Sequence, residues 1–234
     1  MVNSCVAFAE KDTQYFSENT QTEWPHKWPH KIMYYDVISE CSTLSKRKVR
    51  RALNLAMTTW DIEIEITFKP VWMRRRRQPK KTPNITIDFK SRDEDKMFKE
   101  RPTVLAYAYF PGQGSVSGQI VFNDSYIWST NGKSIIGKKA KELGLIDPRS
   151  SDTNQYKTYN IIHVLIHELG HSLGLRHDAH GDTQDVMDAY YSGKLNLSEW
   201  DILRIRLKYP ARIFSRWSHY SRLKRAIRII KSRL

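Results

Sequence analysis

The residues from His167 to His177 read His-Glu-Leu-Gly-His-Ser-Leu-Gly-Leu-Arg-His, the pattern HExxHxxGxxH without a departure. On a helix, His167 and His171 are four apart and stand one turn above the other on the same face. That spacing lets two imidazoles close on one metal ion. Glu168 lies beside them, placed to act as a base on a metal-activated water. Gly174 takes a backbone conformation that other residues avoid and breaks the helix. The turn brings His177 back as a third nitrogen ligand. Three histidines leave a fourth tetrahedral position open, the mark of catalytic rather than structural zinc. An ordinary buried helix would have no use for three histidines and a glutamate, which are costly to bury.

The element that must carry this motif is a helix. Thr158 or Asn160 caps its start, and Ile161, Ile162, Leu165, Ile166 and Leu169 give it apolar faces. His163 lies one turn before His167. With three ligands already assigned, it reads as a packing residue or a contact behind the metal site.

With its long histidine motif, the chain resembles the metzincin metallopeptidases. Members of that family carry a methionine turn beneath the metal, and Asp185-Val186-Met187-Asp188 supplies the candidate, Met187. Its short distance from His177 is most like the matrixin branch. The resemblance runs from about Trp24 to Tyr209. It implies an α+β zincin-like catalytic domain: a twisted, mixed, mostly parallel five-stranded sheet, an active-site helix carrying HExxH, and a C-terminal subdomain. It also implies a zinc endopeptidase with a protein or peptide substrate, and family members are usually secreted. Asp178, directly after the third histidine, is commoner in the reprolysin-like branch, where it braces the turn, and is read here as a contact behind the ligands.

The chain has 234 residues, 40% of them hydrophobic, and a net charge of +14. That suits one domain with extensions at both ends: residues 1–23, a domain over 24–210, and a tail over 211–234. The charge favours an acidic partner: nucleic acid, an anionic membrane or an acidic protein. No basic start followed by an apolar run reads as a signal peptide, and no run is long enough to span a membrane. A monomer is expected. Two cysteines, Cys5 and Cys41, could form one disulfide but no framework. Residues 1–23 read either as a tail or as an inhibitory leader. The cysteine motif that matrixin leaders use is absent, although Cys5 or Asp12 has the chemistry to bind zinc.

Along the domain, Lys31 to Ser39 reads as a strand by its β-branched and aromatic content. Ser45 caps a helix to about Trp60, with Val49, Ala52, Leu53, Ala56, Met57 and Trp60 on one stripe. Lys46, Arg47, Lys48, Arg50 and Arg51 crowd its first turns, where the helix dipole favours acids. Ile62 to Phe68 alternates strictly and predicts a half-buried strand. Arg74 to Arg77, with Lys80 and Lys81, mark a protruding loop. Asn84 to Phe89 is the next strand. Val104 to Phe110 is predicted as the cleft's edge strand, and by resemblance Val104, Leu105, Ala106, Tyr107 and Ala108 hold an extended substrate as an added strand.

The sequence departs from the family at several places. Tyr107 and Val121 stand where matrixins have histidines for a structural zinc, so one zinc is expected. Asn123 and Ser125 replace expected carboxylates beside Asp124, which weakens the case for calcium. Residues 131–156 are an insertion, with a short basic helix predicted from Ser134 to Leu145. Ala189 occupies the place where some metzincins have a tyrosine ligand, and Tyr190 remains as polar support. Ser198 caps a last helix with Asp201 in a capping box, and Pro210 ends it.

Beyond it, Ile213, Trp217, Tyr220, Leu223, Ile227, Ile230 and Leu234 recur at helical steps among arginines and lysines. This tail admits three readings: packing on the domain, lying on an anionic membrane, or binding an acidic partner such as nucleic acid. The competing reading of the whole chain is a basic, zinc-stabilised binding module for nucleic acid or anionic surfaces without significant hydrolysis. Glu168 argues against it, because structural zinc needs no general base.

Overall fold

The computed structural model describes residues 4–8, 24–73, 79, 81–131, 158–178 and 185–212. The Arg74–Arg77 run, the predicted helix at 134–145, Asp12 and the tail from Ile213 lie outside the described residues.

One mixed sheet organises the domain. Its strands are β1 (Ser4–Phe8), β2 (Ile32–Val37), β3 (Thr67–Pro70), β4 (Ile85–Lys90), β5 (Val104–Tyr109) and β6 (Gln119–Asn123), in the order β1-β5-β6-β4-β2-β3. Strands β2 to β6 make the expected five-stranded sheet. The pairs β2–β3, β2–β4 and β4–β6 are parallel and β5–β6 is antiparallel. Alternate residues of β4, Ile85, Ile87 and Phe89, are buried on one face, the period a half-buried strand requires.

Strand β1 is an addition. It pairs antiparallel with β5, Ser4 against Tyr109 through Ala7 against Ala106, with an irregularity before Phe8 meets Val104. The prediction of β5 as an edge is therefore corrected. A strand whose outer N–H and C=O groups are unpaired recruits any extended backbone, and here the N-terminal segment of the same chain takes that place.

Helix α1 (Lys46–Asp61) buries Val49, Ala52, Leu53, Ala56, Met57 and Trp60 in the core, the stripe read from the sequence. Ser45 sits at its N-cap, but the Ser45 side chain makes no capping bond, contrary to the sequence reading. A short helix α2 (Lys96–Glu100) follows β4, capped by Asp95. Strands β7 (Ile127–Ser129) and β8 (Thr158–Asn160) pair in parallel, and β8 leads directly into α3 (Ile161–Ser172). Helix α4 (Glu199–Lys208) closes the domain behind the Ser198–Asp201 capping box.

The alternating run Ile62–Phe68 is only partly a strand. Ile62, Ile64 and Ile66 are buried, but Ile64 bridges Ala211, and Glu65 N–H donates to the Pro210 carbonyl. Glu63 is buried too, held by Arg206 at 2.6 Å. The segment pairs with the chain after α4 rather than with the sheet, so β3 starts only at Thr67. Cys41 is a free, buried cysteine rather than half of a disulfide. Burial raises its thiol pKa to about 11, leaving a protonated, inert core residue. Among the described residues, no helix is long and apolar enough to cross a membrane.

Candidate metal centre and cleft

The metal-motif helix α3 is buried along its whole length. Its start is fixed by Asn160, whose side chain accepts from the Ile162 N–H; of the two caps read from the sequence, Asn160 is the one used. Its middle is tied to α1, where Trp60 Nε1 donates to the Ile166 carbonyl at 3.0 Å. Its end is a Schellman turn. Leu175 N–H donates to the Gly170 carbonyl, Gly174 N–H donates to the His171 carbonyl, and Gly174 sits at φ +98°. Two carbonyls left over by the turn are also satisfied: Trp28 Nε1 donates to Ser172 and Tyr209 Oη–H donates to Leu173. The sharp reversal therefore has a fixed geometry, and His177 returns to the ligand cluster because of it.

His167, His171 and His177 each bring a ring nitrogen to one place, all within 4.8 Å of one another. His167 Nδ1 lies 2.7 Å from the Val186 carbonyl, and His171 Nδ1 lies 2.7 Å from the Leu175 carbonyl. A carbonyl can only accept, so each Nδ1 carries the proton and each Nε2 presents a lone pair. Those two Nε2 atoms face each other at 2.9 Å. Two acceptors at that distance repel unless a cation lies between them. Burial, the largest cause, holds both imidazoles well below their usual pKa and so keeps them neutral. Neutral imidazoles with fixed tautomers are the form that ligates a metal. The donor set, all nitrogen and three in number, fits zinc with a position to spare.

Glu168 is fully buried. Burial pushes its carboxyl pKa well above the usual range; the nearby Ala7 amide pulls the other way. Neither carboxylate oxygen closes a full hydrogen bond. A buried carboxyl without a partner is disposed to hold a proton, and a cation at the three histidines would draw it back toward the ionised form. Ala7 of β1 is itself buried at 4% exposure. Sequence reasoning missed Ala7. Its one signal was the short apolar run Cys5-Val6-Ala7-Phe8 inside a polar terminus. Cys5 belongs to β1 and pairs with Ala108.

Met187 is wholly buried under the motif. A Cβ added at Gly170 would fall 2.3 Å from its sulfur, so that glycine permits the close approach of the methionine turn to α3. Asp178 N–H donates to the Met187 carbonyl at 2.9 Å, and Asp178 Oδ1 accepts from Trp200 Nε1 at 3.3 Å. The residue after the third histidine thus ties that strand of chain to the methionine turn. A further support was not foreseen: Asp201 Oδ2 accepts from Val186 N–H at 2.9 Å while also accepting from Ser198 N–H. One buried carboxylate caps α4 and holds the N–H of the residue whose carbonyl orients His167.

The predicted substrate residues Val104, Leu105, Ala106, Tyr107 and Ala108 form β5, and all are buried, with β1 along one side and β6 along the other. Tyr107 lies opposite Val121 in register. With Phe98, Val104 and Ala189 they form a small apolar cluster, and Tyr107 Oη–H donates to Asp95 Oδ2 at 2.8 Å. Asn123 donates to the Val104 carbonyl and accepts from Ser125 N–H, while both oxygens of Asp124 accept from Ser42 N–H.

His163 stands outside the ligand cluster. Its ring packs edge-on against Tyr191, and its Nδ1 contacts the Lys194 carbonyl. Burial lowers its pKa to about 4. The unfolded chain takes up this proton near pH 6.5, the folded chain only near 4, so stability is full above 6.5 and falls as pH drops through that window. The loss reaches roughly 3 kcal/mol by linkage. Denaturant titrations at fixed zinc should show a His163→Phe variant with a flatter acid limb, offset by a constant cost of about 1–3 kcal/mol for the abandoned Lys194 carbonyl. An unchanged slope would place the acid sensitivity elsewhere.

Comparison with known proteins agrees with this geometry. Residues 27–210 match the family model described as Matrixin. The chain is 28% identical over 167 residues to matrix metalloproteinase-16 of Mus musculus, covering 70% of this chain and 24% of that protein. It is 30% identical over 196 residues to matrilysin of Felis catus, covering 81% and 62%. It is 26% identical to interstitial collagenase of Sus scrofa, covering 78% and 33%. The chain therefore spans about a quarter of the length of matrix metalloproteinase-16 and somewhat under two thirds of matrilysin.

Proposed function

Because the chain belongs to the matrixin family, whose members are zinc-dependent metalloendopeptidases, we propose that it hydrolyses peptide bonds in an extended protein or peptide substrate, and that residues 1–23 hold it latent. The observation that carries the first part is the pair of Nε2 lone pairs converging at 2.9 Å, with His177 beside them and Glu168 one residue from His167. His167, His171 and His177 would hold a single zinc. When bound, zinc supplies a Lewis acid that acidifies a water and polarises the scissile carbonyl. Glu168 accepts the proton of the attacking water and returns it to the departing amide nitrogen. Strand β5 keeps the peptide extended and in register, Met187 floors the site, and Asp178 braces the turn that delivers His177. The place of a second zinc is filled by Tyr107 and Val121, and Asn123 and Asp124 spend their oxygens on backbone amides. The first supports one zinc per chain, and the second weakens the case for calcium.

The second part rests on β1. It runs along β5, where the substrate would lie, and its Ala7 amide is directed at the Glu168 carboxyl. A leader placed so competes with substrate and keeps the base buried.

Metal dependence tests the first part. A strong chelator should remove one zinc per chain and abolish cleavage of a diverse peptide library read by mass spectrometry, and zinc alone should restore it. Cleavage that survives complete zinc removal would end this reading.

A further inference from the structure

Away from the cleft, α1 and the turn after β3 enclose a groove of about 450 Å³. Lys46, Arg47, Arg50 and Arg51 line one wall, Trp72 and Met73 the other, and no carboxylate is among the described residues lining it. Met73, 71% exposed, is shared with a second groove of about 400 Å³, into which Lys69 and Lys81 face. Again no described lining residue is acidic. The two grooves form one cationic track over Met73.

The arrangement costs the fold something. Lys46 and Arg50, and Arg47 and Arg51, are each four apart, so like charges stack on neighbouring turns. They occupy the first half of α1, where the helix dipole repels cations, and no acid stands in its first turn. Among the described residues, the ion pair that offers relief is Glu40 against Lys46 at 3.8 Å, an exposed pair of little value. The Arg50 guanidinium lies 4.6 Å from the Trp72 ring centre, and its Nε is buried with no hydrogen-bond partner. An anion in the groove relieves the stacked like charges and their repulsion by the helix dipole together.

We propose that this track is a binding site for a sulfated polysaccharide chain, separate from the catalytic cleft. Its shape favours a linear occupant with repeated anionic groups. Single-stranded nucleic acid binds chiefly by stacking bases on open aromatic faces. Here the Trp72 face carries Arg50 and the Tyr34 face carries Lys81 at 5.9 Å. The rings orient cations and leave recognition to charge, which suits sulfate groups along a sugar backbone.

The test uses the full, zinc-loaded chain and short heparin fragments, with unsulfated hyaluronan and an oligothymidylate of matched charge as comparators. Heparin should bind in a salt-dependent manner and tightest of the three. Replacing both exposed arginines (Arg47→Gln with Arg51→Gln) should weaken it about tenfold and make the salt dependence shallower by roughly two ions. Zinc content and peptide cleavage should not change, and the melting temperature should hold or rise slightly as a stacked like-charge pair is removed. A control pair on α2, Lys96→Gln with Lys99→Gln, should bind as wild type. Undiminished heparin binding by the arginine variant would overturn the site, since the charge responsible would lie elsewhere. Equal or tighter binding of oligothymidylate or hyaluronan would overturn the assignment of sulfated polysaccharide.

Discussion

Glu168→Gln should keep its zinc and lose about 10³-fold or more in peptide hydrolysis. The substitution preserves volume in a fully buried position. It leaves the ligands untouched, because His167 and His171 are oriented by the Val186 and Leu175 carbonyls rather than by Glu168. What disappears is the carboxylate next to His167, the one placed to accept a proton from water. An amide is also a poor replacement because it does not take up that proton at neutral pH. The result separates the two readings of the chain. A zinc-stabilised binding module would be indifferent to the change, whereas a hydrolase would retain its metal and its fold but not its turnover.

Removing residues 1–23 should raise activity at least tenfold. The size follows from competition within one molecule. A tethered strand meets its groove at a high effective concentration, so even a modest preference for the closed form leaves few cleft edges free. Strand β1 satisfies the outer face of β5 over five residues and buries Ala7 against the motif helix. Releasing it exposes the backbone that a substrate would pair with and opens Glu168 to water, which lowers its raised pKa toward the range in which it can serve as a base. A point variant gives the same answer without truncation. Ala7→Pro removes the amide that faces Glu168 and cannot continue the strand, so it too should activate. The free peptide Ser-Cys-Val-Ala-Phe, added to the truncated chain, should inhibit competitively. If the truncated chain is folded, zinc-loaded and no more active than the full chain, β1 is not a leader.

The histidine motif was legible because metal chemistry dictates residue types and spacing together. The α1 stripe was legible because a helix must bury one face every three or four residues. Ile62 to Phe68 misled because strict alternation reports which side chains are buried, not which backbone pairs with which. Its buried isoleucines pack where Glu63 meets Arg206 and Ile64 meets Ala211, contacts between distant parts of the chain. Strand β1 escaped notice for a related reason. Strand addition draws its free energy from main-chain hydrogen bonds, which leave almost no imprint on side-chain pattern. The same holds behind the metal site. The Val186 and Leu175 carbonyls set the tautomers of two ligands, and a backbone carbonyl has no letter in the sequence. Asp201 was visible as a capping residue. Its second bond, to Val186 N–H, appears only once α4 is packed beneath the methionine turn.

The most direct measurement takes the chain without residues 1–23 beside the same truncated chain carrying Glu168→Gln. Zinc is counted in each, and both are incubated with one diverse peptide library read by mass spectrometry. The expected result is one zinc in each and cleavage only where Glu168 is present. One zinc in each with no cleavage by either, or with equal cleavage by both, would contradict a peptidase that works through this glutamate.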